Sequence, residues 1–391
     1  MNPPMIIILA FLVAACAAPS VSPSGTVTPN ATQPSVVPSS VVAASPSLLP
    51  TLDTSKVPPG LIAYMRVEGQ VERYFVVDTL GGNEVALFQT QGCACIRWSP
   101  DGTKLWSVAE TETGLRFKTL DPDGSNGAVL VPEIETLNLA PGFGSADGEH
   151  VGFYGWDETD ATRAGVWVAR TDLSKLHQVS AKPEGTIAVE PIGMSHDGAF
   201  IYFLGDLGPN SDNDFHHAGN VYVIAADGTG LRQLNPPGTK TEVTGAGVSA
   251  DGRRFAFSAW QAGKGEAGNA LFVVDGPEGE AERITDWTVG LWGASWAPNG
   301  EWIGYANLDE SVGLISMIRP DGTGATPVLP EDQSEDVFGP VWSPDASHLL
   351  VRRGEFHDNT LWIMDLEGRL VWQVTQERSS YDIYGWANPG G

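Results

Sequence analysis

The chain has 391 residues and a mass of 41.5 kDa, with 22 Lys and Arg against 48 Asp and Glu and a formal net charge of −26. A nucleic-acid binder needs clustered Lys and Arg to neutralise phosphates, so this acidity argues against nucleic-acid partners. Charged residues make up 18%, below the roughly 25% of ordinary domains, while 46 Gly and 13 Trp suit a turn-rich, all-β protein.

The first element is an apolar run of 11 residues, Met5 to Ala15, which is too short to span a bilayer. Its position, length and small-residue exit describe a secretory signal peptide over residues 1–15. Val13-Ala14-Ala15-Cys16 resembles the bacterial lipobox, in which the cysteine is acylated; the resemblance implies lipidation at Cys16 and anchorage to a bacterial membrane, periplasmic or at the cell surface. One feature departs from that pattern, because Met1 to Pro4 contains neither Lys nor Arg; a plain signal peptide with an incidental Cys is the alternative. Residues 16–57 are rich in Ser, Pro, Thr, Ala and Val, and carry only Asp53 and Lys56 as charges. Such a segment buries too little apolar surface to offset its ordering entropy, so it reads as a disordered tether.

Residues 58–391 carry an internal repeat. Trp98-Ser99-Pro100-Asp101-Gly102 recurs as Gly144 to Gly148, Met194 to Gly198, Val248 to Gly252, Trp296 to Gly300, Trp342 to Ala346 and a degenerate Trp386 to Gly391. The last positions step by 46, 50, 54, 48, 46 and 45 residues. Each Asp-Gly or Asn-Gly supplies the positive φ of a tight hairpin turn, and an apolar strand follows it directly. Repeats of this length, built from strands and turns, predict an all-β propeller of four-stranded blades. Phase at the two ends adds a further expectation. Leu61 to Met65 reads as the second strand of a unit, and Ile383 to Ala387 as the first strand it lacks. The expected fold is therefore a seven-bladed β-propeller whose ring is closed by pairing of the N- and C-terminal strands, with a monomer as the default because closure removes sheet edges.

The in-phase Trp-Ser-Pro-Asp-Gly repeats resemble those of TolB-like proteins and of dipeptidyl peptidase and tricorn-type propeller domains, over residues 58–391. The resemblance implies a propeller, and the motif Trp and Asp-Gly read as packing and turn residues. TolB has six blades behind an α/β domain, whereas seven units stand here behind a tether, so its partners are not carried over. The peptidases' catalytic residues lie in a hydrolase domain that these repeats do not match.

Catalytic signatures are missing from the sequence: it contains no Gly-x-Ser-x-Gly, His-Glu-x-x-His, Walker loop or Cys-x-x-Cys. Cys93 and Cys95 are the one thiol pair, readable as a small ring, a soft-metal site or two semi-buried thiols. An insertion in the fourth unit, residues 205–219, reads as a polar loop; Asp212 and Asp214 suit calcium, while His216 and His217 suit a transition metal. Loops joining second to third strands, and outer strands to the next unit, fall on one face of such a ring. That face gathers Asp157, Asp309 and Glu355 among many carboxylates, with Trp156, Trp260, Trp287 and Trp292 interleaved. Carboxylates around aromatic platforms suit a basic peptide, a protein or a sugar that stacks on Trp. The leading expectation is a non-catalytic, membrane-anchored binding protein. Its rival is a metal-dependent enzyme acting on polysaccharides, since some lyases of uronic-acid oligosaccharides look similar, with seven-bladed propellers and histidine clusters.

Overall fold

A computed structural model describes residues 54–69, 71–90, 96–140, 142–181, 190–210, 213–242, 246–261, 268–288, 291–307, 314–328, 337–355 and 357–389. Nearly all of its regular structure is antiparallel strand. In chain order come β1 (Leu61–Glu68), β2 (Val71–Asp78) and β3 (Val85–Thr90), then the sheet of β4 (Arg97–Trp98), β5 (Leu105–Thr111), β6 (Gly114–Leu120) and β7 (Ala128–Leu130). A second four-stranded sheet holds β8 (Asn138–Ala140), β9 (His150–Trp156), β10 (Gly165–Arg170) and β11 (His177–Ala181). Next, β12 (Glu190–Met194), β13 (Phe200–Asn210), β14 (Asn213–Ala225) and β15 (Arg232–Gln233) are joined through β16 (Thr239–Glu242) to β17 (Ala246–Val248), β18 (Arg254–Gln261), β19 (Asn269–Asp275) and β20 (Ala281–Arg283) in one nine-stranded sheet. Two further four-stranded sheets follow, β21 (Leu291–Trp296) to β22 (Ile303–Asn307), β23 (Leu314–Ile318) and β24 (Thr326–Val328), then β25 (Val337–Trp342) to β26 (His348–Glu355), β27 (Asp358–Asp365) and β28 (Leu370–Gln373). The last strand, β29 (Tyr381–Ala387), returns to pair with β1, Ile62 opposite Trp386, and so supplies the strand that β1–β3 lack.

The repeated turn is built the same way in five of its six full copies, with Ala297 in place of the serine in the fifth. Ser99, Ser145, Ser195, Ser249 and Ser343 donate through Oγ to the Asp two residues on, at 2.5, 2.5, 2.8, 2.6 and 2.6 Å. The same oxygens accept the backbone N–H five residues on, at 2.9 to 3.0 Å. The turn thus satisfies its own polar groups while the serines are buried. Gly102, Gly148, Gly198, Gly252 and Gly300 close it at φ of 67, 75, 69, 67 and 69°, a region costly for any residue with a Cβ. In the sixth copy Ala346 takes φ 59° at that position.

The strands read as apolar runs because most sheets are covered on both faces. One cluster packs Phe75 and Ile62 of β1–β2 against Leu350, Leu361 and Ile363, and the other face of that sheet packs Met65 and Tyr74 against Ile96, Leu105 and Leu120. Comparable clusters join each successive pair of strand groups along the chain, for example Tyr202, Leu204 and Val221 with Phe255, Phe257 and Phe272. Burying each such side chain contributes about 1.5–3 kcal/mol. The motif tryptophans do pack between sheets: Trp296 donates its indole N–H to the Gly247 carbonyl at 3.1 Å, and Trp342 donates to that of Ser295 at 3.0 Å.

Residues 205–219 do not form the polar loop expected from the sequence. Most of this stretch is strand, not loop: β13 runs to Asn210 and β14 starts at Asn213, with Gly208 opposite Ala218. Nor did the repeat pattern anticipate β16. It pairs with β14 (Gly219 opposite Thr241) and with β18 (Lys240 opposite Trp260), which merges two repeat units into one sheet.

Candidate functional site

The predicted face residues are spread over several sheets. Trp156 ends β9, is buried, and stacks on Tyr154 with ring centroids 5.5 Å apart. Its neighbour Asp157 is 4% exposed and has partners throughout: Thr136 Oγ1 donates to it at 2.6 Å, the Thr159 backbone N–H at 2.8 Å and Arg163 at 2.5 Å. Burial alone would raise its pKa, but these hydrogen bonds outweigh burial and hold the carboxyl well below the usual range. Such a carboxylate organises the 157–163 turn. Glu355 is exposed at the end of β26, opposite Asp358. Asp309, Asp212, Cys16, Cys93 and Cys95 lie outside the described residues. Asp214, His216 and His217 fall on β14 and Trp292 on β21, but their side chains are outside the described part. Among the described residues, no group of three or more His, Cys, Asp or Glu is placed to hold a metal ion.

Trp260 and Trp287 lie on adjacent stretches of backbone but on opposite faces of the ladder, so they are not brought together. Trp260 near the end of β18 sits opposite Asn269 of β19, and Asn269 in turn bridges to Thr288, the neighbour of Trp287. Trp287 is half-buried, edge-on to Phe272 at 5.8 Å, with the Arg283 guanidinium 5.6 Å from its ring. On the other side of Trp260 in the ladder stands Lys240. Residues directly opposite in an antiparallel pair share a face, with Cβ atoms about 5 Å apart.

Lys240 also lines a cleft of about 520 Å³ with Asn220, Gln233, Asn235 and Thr239. Its walls are fixed by their own hydrogen bonds. Buried Asn235 accepts the Val221 N–H at 2.8 Å and donates to the Thr239 carbonyl at 2.9 Å. Gln233 donates to the Asn235 carbonyl at 3.2 Å, and Lys240 Nζ to Asn220 Oδ1 at 3.2 Å. Carboxamides both donate and accept, so such a wall matches hydroxyl or peptide groups, with the Lys240 ammonium among them and Trp260 opposite Lys240 in the ladder. Sequence reasoning found Trp260 and missed the amides. The available signal was length: the step from Gly198 to Gly252, 54 residues, is the largest of the six.

A charged pair joins the β25–β28 sheet to the last strand. Arg352 of β26 donates to Asp382 of β29 and stacks over Phe338 at 4.6 Å. Gly339, at φ 64°, leaves room for it, because a Cβ there would fall 2.7 Å from the guanidinium. Burial raises the Asp382 pKa against the opposing pull of Arg352, and burial also raises that of Glu72.

No protein-family model matches this chain, and no curated protein sequence does. Solved structures do. An oligogalacturonate lyase in complex with manganese is similar, with a TM-score of 0.55 and 15% identity over 75% of this chain and 82% of that one. Oligogalacturonate lyase from Vibrio parahaemolyticus gives 0.53 and 12% over 75% and 87%. TolB from Acinetobacter baumannii gives 0.47 and 19%, over 68% of this chain and 63% of that one. At these identities the likeness is one of fold, and the fold is of the all-β, propeller type.

Proposed function

We propose that this chain is an extracytoplasmic β-propeller of seven blades, tethered to a membrane through Cys16, that binds a ligand on the face carrying the β13–β14 hairpin and catalyses no reaction on it. The blade count rests on dividing the nine-stranded sheet at β16 and on counting β29 with β1–β3; the clusters packed on both sides of that last sheet support a closed ring. The ligand is a glycan, a peptide or a protein. The amide-lined cleft beside Trp260 carries this reading and favours a glycan, because amides pair with hydroxyls while an indole stacks on a sugar's apolar face. Titration of the full chain with oligosaccharides, neutral and uronic, tests it. Trp260→Ala and Lys240→Ala are expected to weaken binding tenfold or more, about 1.4 kcal/mol each. Unchanged affinity in both would overturn the reading.

A second reading is a metal-dependent polysaccharide lyase or hydrolase. The likeness of fold to the manganese-bound lyase favours it. Asp212, Asp214, His216 and His217 would then hold calcium or a transition metal at the hairpin. Elemental analysis with melting before and after a chelator separates the two readings: stoichiometric metal whose loss shifts the melt supports the enzyme.

A further inference from the structure

A second cavity lies at the other end of the strands, where β12 turns into β13. It has a volume of about 210 Å³, roughly that of seven liquid waters at about 30 Å³ each. One wall comes from the sheet of β8–β11 and brings Arg170, Lys175 and His150; the other comes from the β12–β13 turn and brings Asp197, with Ala199 and Gly198 between them. Only 22 Lys and Arg stand in this chain against 48 carboxylates, so two cations on one wall of a small apolar-floored pocket differ from the general surface.

The pocket is built, not incidental. His177 spans its mouth: one ring nitrogen lies 2.8 Å from the Lys175 carbonyl and the other 2.9 Å from that of Ala226, on the neighbouring sheet. Lys175 itself sits at φ 57° and Leu173 at φ 64°, strained values for residues with side chains. Gly198 is needed twice over, for its φ of 69° and because a Cβ there would fall 2.6 Å from His150 Nδ1. That nitrogen is buried with no hydrogen-bond partner among the described residues. Asp197 is held in place by the Ala199 N–H at 3.0 Å and Ser195 Oγ at 2.8 Å, and these bonds keep its carboxyl ionised. Arg170 gives one nitrogen to Glu149 at 3.2 Å on the rim.

A plain anion would meet the Asp197 carboxylate, and a plain cation would meet Arg170 and Lys175. We propose that the pocket binds a small zwitterion, with its carboxylate towards Arg170 and Lys175 and its ammonium against Asp197. A free α-amino acid with a short side chain fits both the charges and the volume. This site is separate from the amide-lined cleft and does not depend on it.

Calorimetric titration of the full chain with glycine, L-alanine and L-serine tests the assignment, with acetate and methylammonium as the two half-ligands. Saturable binding of at least one amino acid is expected, with each half-ligand at least tenfold weaker. Arg170→Gln and Asp197→Asn should each weaken it tenfold or more, while Lys240→Ala in the cleft leaves it unchanged. The carboxamide introduced by Asp197→Asn would still accept from Ser195 and Ala199, so the turn should keep its fold, and an unshifted ligand-free melt would verify that. Acetate binding as tightly as the amino acids overturns the proposal, as does an Asp197→Asn variant of unchanged affinity. So does the lack of saturable binding up to about 10 mM.

Discussion

Arg352 and Asp382 join strands of two neighbouring sheets: a guanidinium nitrogen of Arg352 lies 2.5 Å from the Asp382 carboxylate and 3.1 Å from the neighbouring Tyr381 carbonyl. Arg352 is 15% exposed and Asp382 40%, so the pair is only partly screened by water. Removing one partner strands the other. Arg352→Met should cost about 1–2 kcal/mol, discounted from the larger penalty of a fully buried pair because Asp382 keeps some solvent. Urea unfolding of the single variants and of Arg352→Met with Asp382→Asn checks this; a double variant as unstable as the sum of the singles would show no coupling.

Deleting residues 381–391 removes β29 from β1 and bares the edge of that eight-residue strand. Aggregation is expected, since an unpaired apolar edge recruits other chains. A soluble, monomeric truncation with an unshifted melt would argue against the seam.

The turn glycines separate conformational from steric cost. At Gly148, with φ 75°, a Cβ meets nothing within 4 Å, whereas at Gly252, with φ 67°, it would collide with the His196 backbone nitrogen. Gly148→Ala should therefore cost about 1 kcal/mol, and Gly252→Ala clearly more, because backbone must move. Ala346 shows that the turn accepts an alanine where space allows. Equal losses in thermal unfolding would refute the steric part.

Acid should act through Asp157. Its folded pKa lies below the ordinary carboxylate value, so its contribution is complete above that unfolded value and is lost as pH falls towards the folded one. Asp157→Asn should be less stable at neutral pH by about 1–3 kcal/mol, with the difference narrowing in acid. A constant difference across a pH series would contradict this account.

Much of the architecture was legible because it is local and repeated. Asp-Gly turns, the serine two residues before each Asp and the apolar strand after it sit within a few residues of each other, so Ser249 and Asp251 can be read as a turn without knowing the rest. The return of β29 to β1 was legible from phase alone, since the first unit lacks a strand and the last has one over. The candidate sites were less so. Trp156 and Asp157 looked like parts of an open face; only packing shows that one stacks on Tyr154 and the other is enclosed by Thr136, Thr159 and Arg163.

Sequence by itself determined the repeat, its strand order and the acidic balance, because periodicity and composition require no long-range information. Tertiary structure decided what lies beside what. Lys240 met Trp260 because β16 bridged two units, and Arg170 with Lys175 met Asp197 because neighbouring sheets abut. Such meetings depend on non-local pairing and on the packing of one sheet against the next, and no spacing in the chain encodes them.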